Sequence, residues 1–171
     1  MSKASWNRAV RSKNLVGFSL DGVPYAIDIQ RVREIIKPLP MLPIPHAPKA
    51  VIGVTDHRGD VVPIIDLRVR LGTSKGVVEG DQLWIVVKRA KRYAGLVVDR
   101  VTEVFGAGVS QYRDVPDIGL SDQSQDIVSV CTHRGSLVFV LDVDRITDLT
   151  EQIDLSALKP PQPQEVSHDS K

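Results

Sequence analysis

The run Val54-Thr55-Asp56-His57-Arg58-Gly59-Asp60-Val61-Val62-Pro63-Ile64-Ile65-Asp66 returns as Val130-Cys131-Thr132-His133-Arg134-Gly135-Ser136-Leu137-Val138-Phe139-Val140-Leu141-Asp142. Spacing between the two runs is constant, and in each a His-Arg-Gly turn separates two aliphatic stretches that finish on aspartate. Internal self-similarity constrains a fold strongly, because each copy must form a like unit and bury its apolar face on the other. Upstream, Tyr25-Ala26 followed by Arg31-Val32-Arg33-Glu34-Ile35 is matched by Tyr93-Ala94 followed by Arg100-Val101-Thr102-Glu103-Val104, with a one-residue slip. The chain reads as two related halves, about 15–71 and 83–146.

Each half has the pattern strand, turn, strand, short helix, strand, His-Arg-Gly turn, strand, short helix. Residues 15–20 and 23–27 flank Asp21-Gly22, a strong two-residue hairpin signal. Asp28 is placed to cap a helix with Ile29, Val32, Ile35 and Ile36 on one face, ending before Pro38. Five prolines within 38–48 remove backbone donors and predict an ordered extended crossover outside any sheet interior. Strand patterns resume at 51–55, 61–65, 84–87, 93–98, 127–131 and 137–141. Asp66 and Asp142 are positioned as caps of two short helices, and Gly72 stops the first. Five or so short strands per half suit a small, strongly bent barrel, and a half of about sixty residues buries little surface alone. Two barrels sharing a core are the expected solution, mainly β with a few short helices.

Composition excludes several classes. Of 171 residues, 22 are Lys or Arg and 21 are Asp or Glu; the net charge of +1 gives no basic field for a phosphate backbone. Aromatics at 5% are too few for base-stacking platforms, so an SH3-like nucleic-acid module is the poorer alternative. The single Cys131 cannot form an internal disulfide or a thiolate cage. No apolar run reaches the roughly twenty residues of a membrane span and no leader pattern opens the chain, so the expected location is the cytoplasm, without membrane insertion. Residues 1–14 carry Lys3, Arg8, Arg11 and Lys13 without an acid, while 151–171 combine a short helix with Pro160, Pro161 and Pro163. Both ends are expected to be flexible tails.

Motifs for chemistry are sparse. His57 and His133 sit at the same point of each repeat, which a shared turn explains, and neither has ligand-like neighbours. Cys131 lies in an apolar run, the ordinary place for a small buried thiol. No phosphate-binding glycine loop or nucleophile elbow is present, so no cofactor, metal or catalytic residue is expected. What remains is Glu34, on the face carrying Val32 and Ile36, and Arg58 in a turn, charges able to pair where the lobes meet.

The runs 25–35, 45–52, Gly53-Val54-Thr55-Asp56-His57-Arg58-Gly59 and Val62-Pro63-Ile64-Ile65-Asp66-Leu67-Arg68, with Tyr93-Ala94-Gly95-Leu96-Val97-Val98-Asp99-Arg100-Val101 and Glu103-Val104, resemble the CheW family of bacterial chemotaxis coupling proteins over about 15–150. The resemblance implies two intertwined SH3-like five-stranded β-barrel subdomains and a non-enzymatic adaptor. Its implied partners are the cytoplasmic tip of a methyl-accepting chemoreceptor and the regulatory domain of a CheA-type histidine kinase. By the same resemblance Val32, Glu34, Gly53, Arg58, Val101 and Val104 form the receptor groove, with Glu34 and Arg58 paired, and Ile29, Val61 and Leu83 face the kinase. Asp56-His57 replaces the family's usual Asn-Leu before Arg-Gly, which sets a charge and an ionisable ring beside that groove. The segment 105–126, rich in Asp, Gln and Ser, is more polar than the family pattern; a divergent adaptor serving one partner is the alternative reading.

Overall fold

In the computed structural model the described residues are 14–73, 80–108, 111–115 and 125–158, so 1–13 and 159–171 of the expected tails, and 109–110 and 116–124 of the polar segment, lie outside them. The strands are β1 (Asn14–Leu20), β2 (Val23–Asp28), β3 (Val32–Ile36), β4 (Val51–His57), β5 (Asp60–Asp66), β6 (Leu83–Arg89), β7 (Arg92–Val98), β8 (Arg100–Gly106), β9 (Tyr112–Arg113), β10 (Ile127–His133) and β11 (Ser136–Leu141). Helices α1 (Leu67–Arg70) and α2 (Val143–Thr147) follow β5 and β11. The Asp66 and Asp142 side chains accept from the amides of Arg68 and Asp144, as the sequence predicts for caps. Further single 3-10 turns occupy Ile29–Arg31, Asp148–Gln152 and Ser156–Leu158.

Three of the hairpins turn on residue pairs with positive φ: Asp21-Gly22 (50° and 78°), Arg58-Gly59 (54° and 81°) and Arg134-Gly135 (48° and 77°). This is the mirror-image turn whose twist matches two-residue hairpins. The recurring Arg-Gly is therefore a turn requirement in both repeats.

The helix expected over 28–36 is corrected. Asp28 does cap a turn, accepting from the Gln30 amide at 2.9 Å, but the backbone becomes extended at Val32 and β3 pairs antiparallel with β6. Along β3 exposure alternates, with Val32, Glu34 and Ile36 half-buried and Arg33 and Ile35 exposed, a period of two that the Ile and Val run supports. The short helix that the same pattern places after the second strand of the second half is likewise strand β8, paired with β1.

Sheet order shows how the halves combine. One sheet runs β3-β6-β7-β5-β4 and the other β8-β1-β2-β11-β10-β9. Replacing each strand of the first by its repeat counterpart gives β8-β1-β2-β11-β10, the second sheet without β9. The exchange is mutual, so a pseudo-twofold relates the two. Each barrel receives one hairpin from the other half: β6-β7 completes the first, and β1-β2 completes the second. Parallel pairs β5-β7 and β11-β2 join native to donated strands at equivalent places.

Donated strands are buried on both faces, which accounts for their near-continuous aliphatic runs. Tyr25 and Ile27 of β2 face the large core between the barrels, while Ala26 faces the interior of the second barrel with Leu15, Cys131 and Val140. Trp84 and Val97 fill the first barrel with Val62 and Ile64, whereas Ile85, Leu96 and Val98 join the shared core. Both helices contribute to that core through Leu67, Val143 and Ile146. Complete burial of each such Leu or Ile contributes about 1.5–3 kcal/mol.

The proline segment crosses outside the first barrel as predicted, meeting β4 through a bridge in which Leu42 and Val54 exchange hydrogen bonds of 2.8 Å and through the Thr55 hydroxyl, which donates to the Pro40 carbonyl at 2.8 Å. Gly53 makes this approach possible, because a Cβ there would stand 2.7 Å from the Leu42 carbonyl oxygen.

Candidate functional site

In the first barrel β3 and β4 are the outermost strands of their sheet. Side chains join them. Glu34 of β3 accepts 2.7 Å from His57 Nε2 at the end of β4, and 3.2 Å from Arg58 Nη2 in the following turn. The hydrogen bond from His57 is the main reason the Glu34 carboxyl sits below the usual carboxylate range; the Arg58, His57 and Arg33 charges add to it against partial desolvation. Arg33 lies over the Tyr93 ring, its guanidinium carbon 4.2 Å from the centroid, and bolsters the β3 edge.

The second barrel repeats the device. Glu103 of β8 accepts 3.0 Å from His133 Nε2 and forms an ion pair of 3.2 Å with Arg134 Nη2. The short β9 pairs with the middle of β10 and leaves its His133 end to this contact. Here the imidazole also stacks on Phe105, with ring centroids 4.0 Å apart. Sequence reasoning placed both histidines in a turn and missed their bonds to the two glutamates. The signal was present, since the repeat pairs Glu34 with Glu103 as surely as His57 with His133.

Glu34 and Arg58 thus meet as expected, but within one barrel and not across the lobes. Val32 and Val101 are half-buried against the shared core, at the same point of strands β3 and β8. Three positions after Val101, Val104 is 57% exposed, and its counterpart Ile35 is 43% exposed. Gly53 is buried beneath the Leu42 carbonyl. Ile29 and Leu83 both pack on the shared core, whereas Val61 lines a separate open cavity of about 360 Å³ with Met41, Leu42 and Leu158.

Other candidates resolve simply. Cys131 is fully buried in β10, and burial pushes its thiol up to about 11. A maleimide or iodoacetamide reagent is expected to leave Cys131 unmodified at pH 8 in the native protein and to label it fully in denaturant; rapid native labelling would contradict the packing. Among the described residues no three His, Cys, Asp or Glu side chains converge as metal ligands, and no described helix is long and apolar enough to cross a membrane.

Two like barrels, completed by exchanged hairpins and presenting aliphatic edge strands beside a glutamate–arginine pair, describe a docking module. Comparison with known proteins agrees: the CheW-like domain family model matches residues 14–151, and the chain belongs to that family. It is a chemotaxis coupling adaptor. The chain is 32% identical over 131 residues to a chemotaxis protein CheW of Helicobacter pylori, covering 77% of this chain and 79% of that one. With the CheW of Rhizobium meliloti it shares 28% over 146 residues, covering 85% and 94%. The crystal structure of the scaffolding protein TtCheW from Thermoanaerobacter tengcongensis matches with a TM-score of 0.70 at 27% identity, over 78% of this chain and 86% of that one.

Proposed function

We propose that this adaptor joins the cytoplasmic tip of a chemoreceptor to the regulatory domain of a CheA-type histidine kinase, in the cytoplasm and without catalysis of its own. The receptor docks along Val32, Glu34, Arg58, Val101 and Val104, with Gly53 holding the crossover against β4; the kinase meets the apolar positions Ile29, Val61 and Leu83. The observation that carries this reading is the Glu34–Arg58 pair at 3.2 Å, on an edge strand that also exposes Ile35. A charge pair whose arginine side chain is 65% exposed can give further donors to a partner while its aliphatic neighbour takes up an apolar surface.

Co-sedimentation of the protein with a receptor signalling fragment and the kinase is the test. Both partners should be retained at micromolar concentration. Glu34→Arg should weaken receptor retention about tenfold or more, the scale of losing one charge-assisted contact. Adding Arg58→Glu should restore part of it. Retention of neither partner would overturn the proposal, and retention of only one would select the single-partner adaptor.

A further inference from the structure

Val61 and Leu137 hold the same place in the two repeats, the second residue of the strand after each His-Arg-Gly turn. Their surroundings differ. Leu137 is 56% exposed, whereas Val61 is half-buried in the cavity of about 360 Å³ bordered by Met41 and Leu42 of the crossover, Val54 of β4, and Leu158 from the far end of the described chain. A like barrel leaves Leu137 open, so the covering of Val61 is not a demand of the barrel. The cavity is rimmed by apolar side chains that water still reaches: Met41 is 39% exposed, Leu42 70% and Leu158 42%. Exposed apolar groups gathered round one opening mark a place where a further apolar surface can be buried.

The walls of this cavity are held unequally. The crossover is fixed to β4 by the paired Leu42–Val54 hydrogen bonds and by the Thr55 hydroxyl on the Pro40 carbonyl, all at 2.8 Å. β4 is itself held by its ladder with β5. The C-terminal turn Ser156–Leu158 has no such tie. Just before it, Ile153 and Leu155 pack on the shared core and form a fixed base. Beyond them the hydrogen bonds stay local: the Leu158 amide donates to the Leu155 carbonyl at 3.2 Å, and the Ser156 amide to the Asp154 carboxylate at 3.0 Å. Among the described residues no hydrogen bond or ion pair links the turn to the crossover, β4 or β5. Of the turn, only Leu158 lines the cavity. One leucine of which nearly half stays exposed is a weak latch, and exchanging it for another apolar side chain breaks no polar bond.

We propose that Ser156–Leu158 is a displaceable strap over Val61, and that the kinase regulatory domain binds by setting an apolar side chain of its own where Leu158 sits. In the free protein the chain's own C-terminal turn occupies the edge of the cavity, and the partner competes with it. Affinity for the kinase is then lowered by the fraction of molecules in which the turn is seated. The control acts on the first barrel alone, since Leu137 stands open in the second. This inference rests on the reading of Val61 as kinase-facing.

Its test is the affinity of the full-length protein and its variants for the regulatory domain of a CheA-type kinase, measured by titration calorimetry. Leu158→Ser should bind about three- to tenfold more tightly than the unaltered protein, the factor by which one half-buried leucine holds the turn in place. Thermal unfolding should confirm that each variant keeps the fold. Displacement itself is read by maleimide labelling of Leu158→Cys, in which the fully buried Cys131 stays silent. Labelling should be faster with the regulatory domain bound than in the free protein. Slower labelling in the complex, or affinity that Leu158→Ser leaves unchanged or weakens, would overturn the strap. Val61→Glu separates the two readings. If it weakens kinase binding while Leu158→Ser gains nothing, the kinase face stands and the strap falls; if Val61→Glu binds as the unaltered protein does, the kinase face fails and the strap with it.

Discussion

Division of the chain between α1 and β6, into fragments 1–75 and 76–171, should leave neither fragment with a cooperative thermal transition, and mixing them should restore one. The first fragment lacks β6 and β7, the strands that fill the middle of its own barrel; the second lacks β1 and β2. Each would expose its share of the central core, where Phe18, Ile27 and Leu67 from one half meet Ile85, Leu96 and Ile146 from the other. The expected loss is the whole folding free energy, about 5–15 kcal/mol for a domain of this kind. Circular dichroism and calorimetry on the separate and mixed fragments would decide it. A cooperative melt from either fragment alone would refute the interdependence of the barrels.

The largest effect expected from a single residue is at Arg68. This side chain is 5% exposed; its guanidinium lies 2.5 Å from Asp99 and 3.3 Å from Asp21, tying α1 to the β1-β2 hairpin tip and to the β7-β8 corner. The Asp99 hydrogen bond holds the Arg68 pKa above its ordinary value, so the group does not escape its burial by losing a proton. Asp99→Ala removes the principal partner of a buried cation and should cost about 3–5 kcal/mol. At roughly 2–4 °C per kcal/mol for a chain of this size, the midpoint should fall by about 10 °C. Asp99 also accepts from the Asp21 amide at 2.7 Å. Arg68→Met combined with Asp99→Asn removes both charges while keeping an acceptor for that amide, and should lose less than Asp99→Ala. Equal or greater loss in the paired variant would show that the ion pair itself is not the source.

Much of this architecture is legible in the sequence because the repeat fixes correspondences that local propensity does not. Asp21-Gly22 and the two Arg-Gly pairs mark hairpins through a backbone requirement, and Asp66 and Asp142 mark helix starts through orphan amides; these are local causes, and local reasoning finds them. Residues 32–36 defeat it because Val32, Ile35 and Ile36 also satisfy a helical spacing. Pairing with β6, some fifty residues distant, decides for strand. Partner exchange between halves is illegible for the same reason: the pattern shows five strands per half but not whose hairpin completes which barrel. At the site, Glu34 and Arg58 were legible through family resemblance, whereas the His57 and His133 bonds depend on which strands the barrel brings edge to edge.

The mutual hairpin exchange also sets an order of events in time. As the chain emerges during synthesis, β1 and β2 are made first, yet the strands that flank them, β8 and β11, come from the far half of the sequence. Until those arrive, the β1 edge and the apolar side chains of β2 have no native cover, so a nascent chain must hold an early hairpin open while most of the domain is still being made. Contacts so distant along the chain slow folding and prolong the exposure of unpaired edges. For this protein the vulnerable interval lies in its production, before either barrel can close.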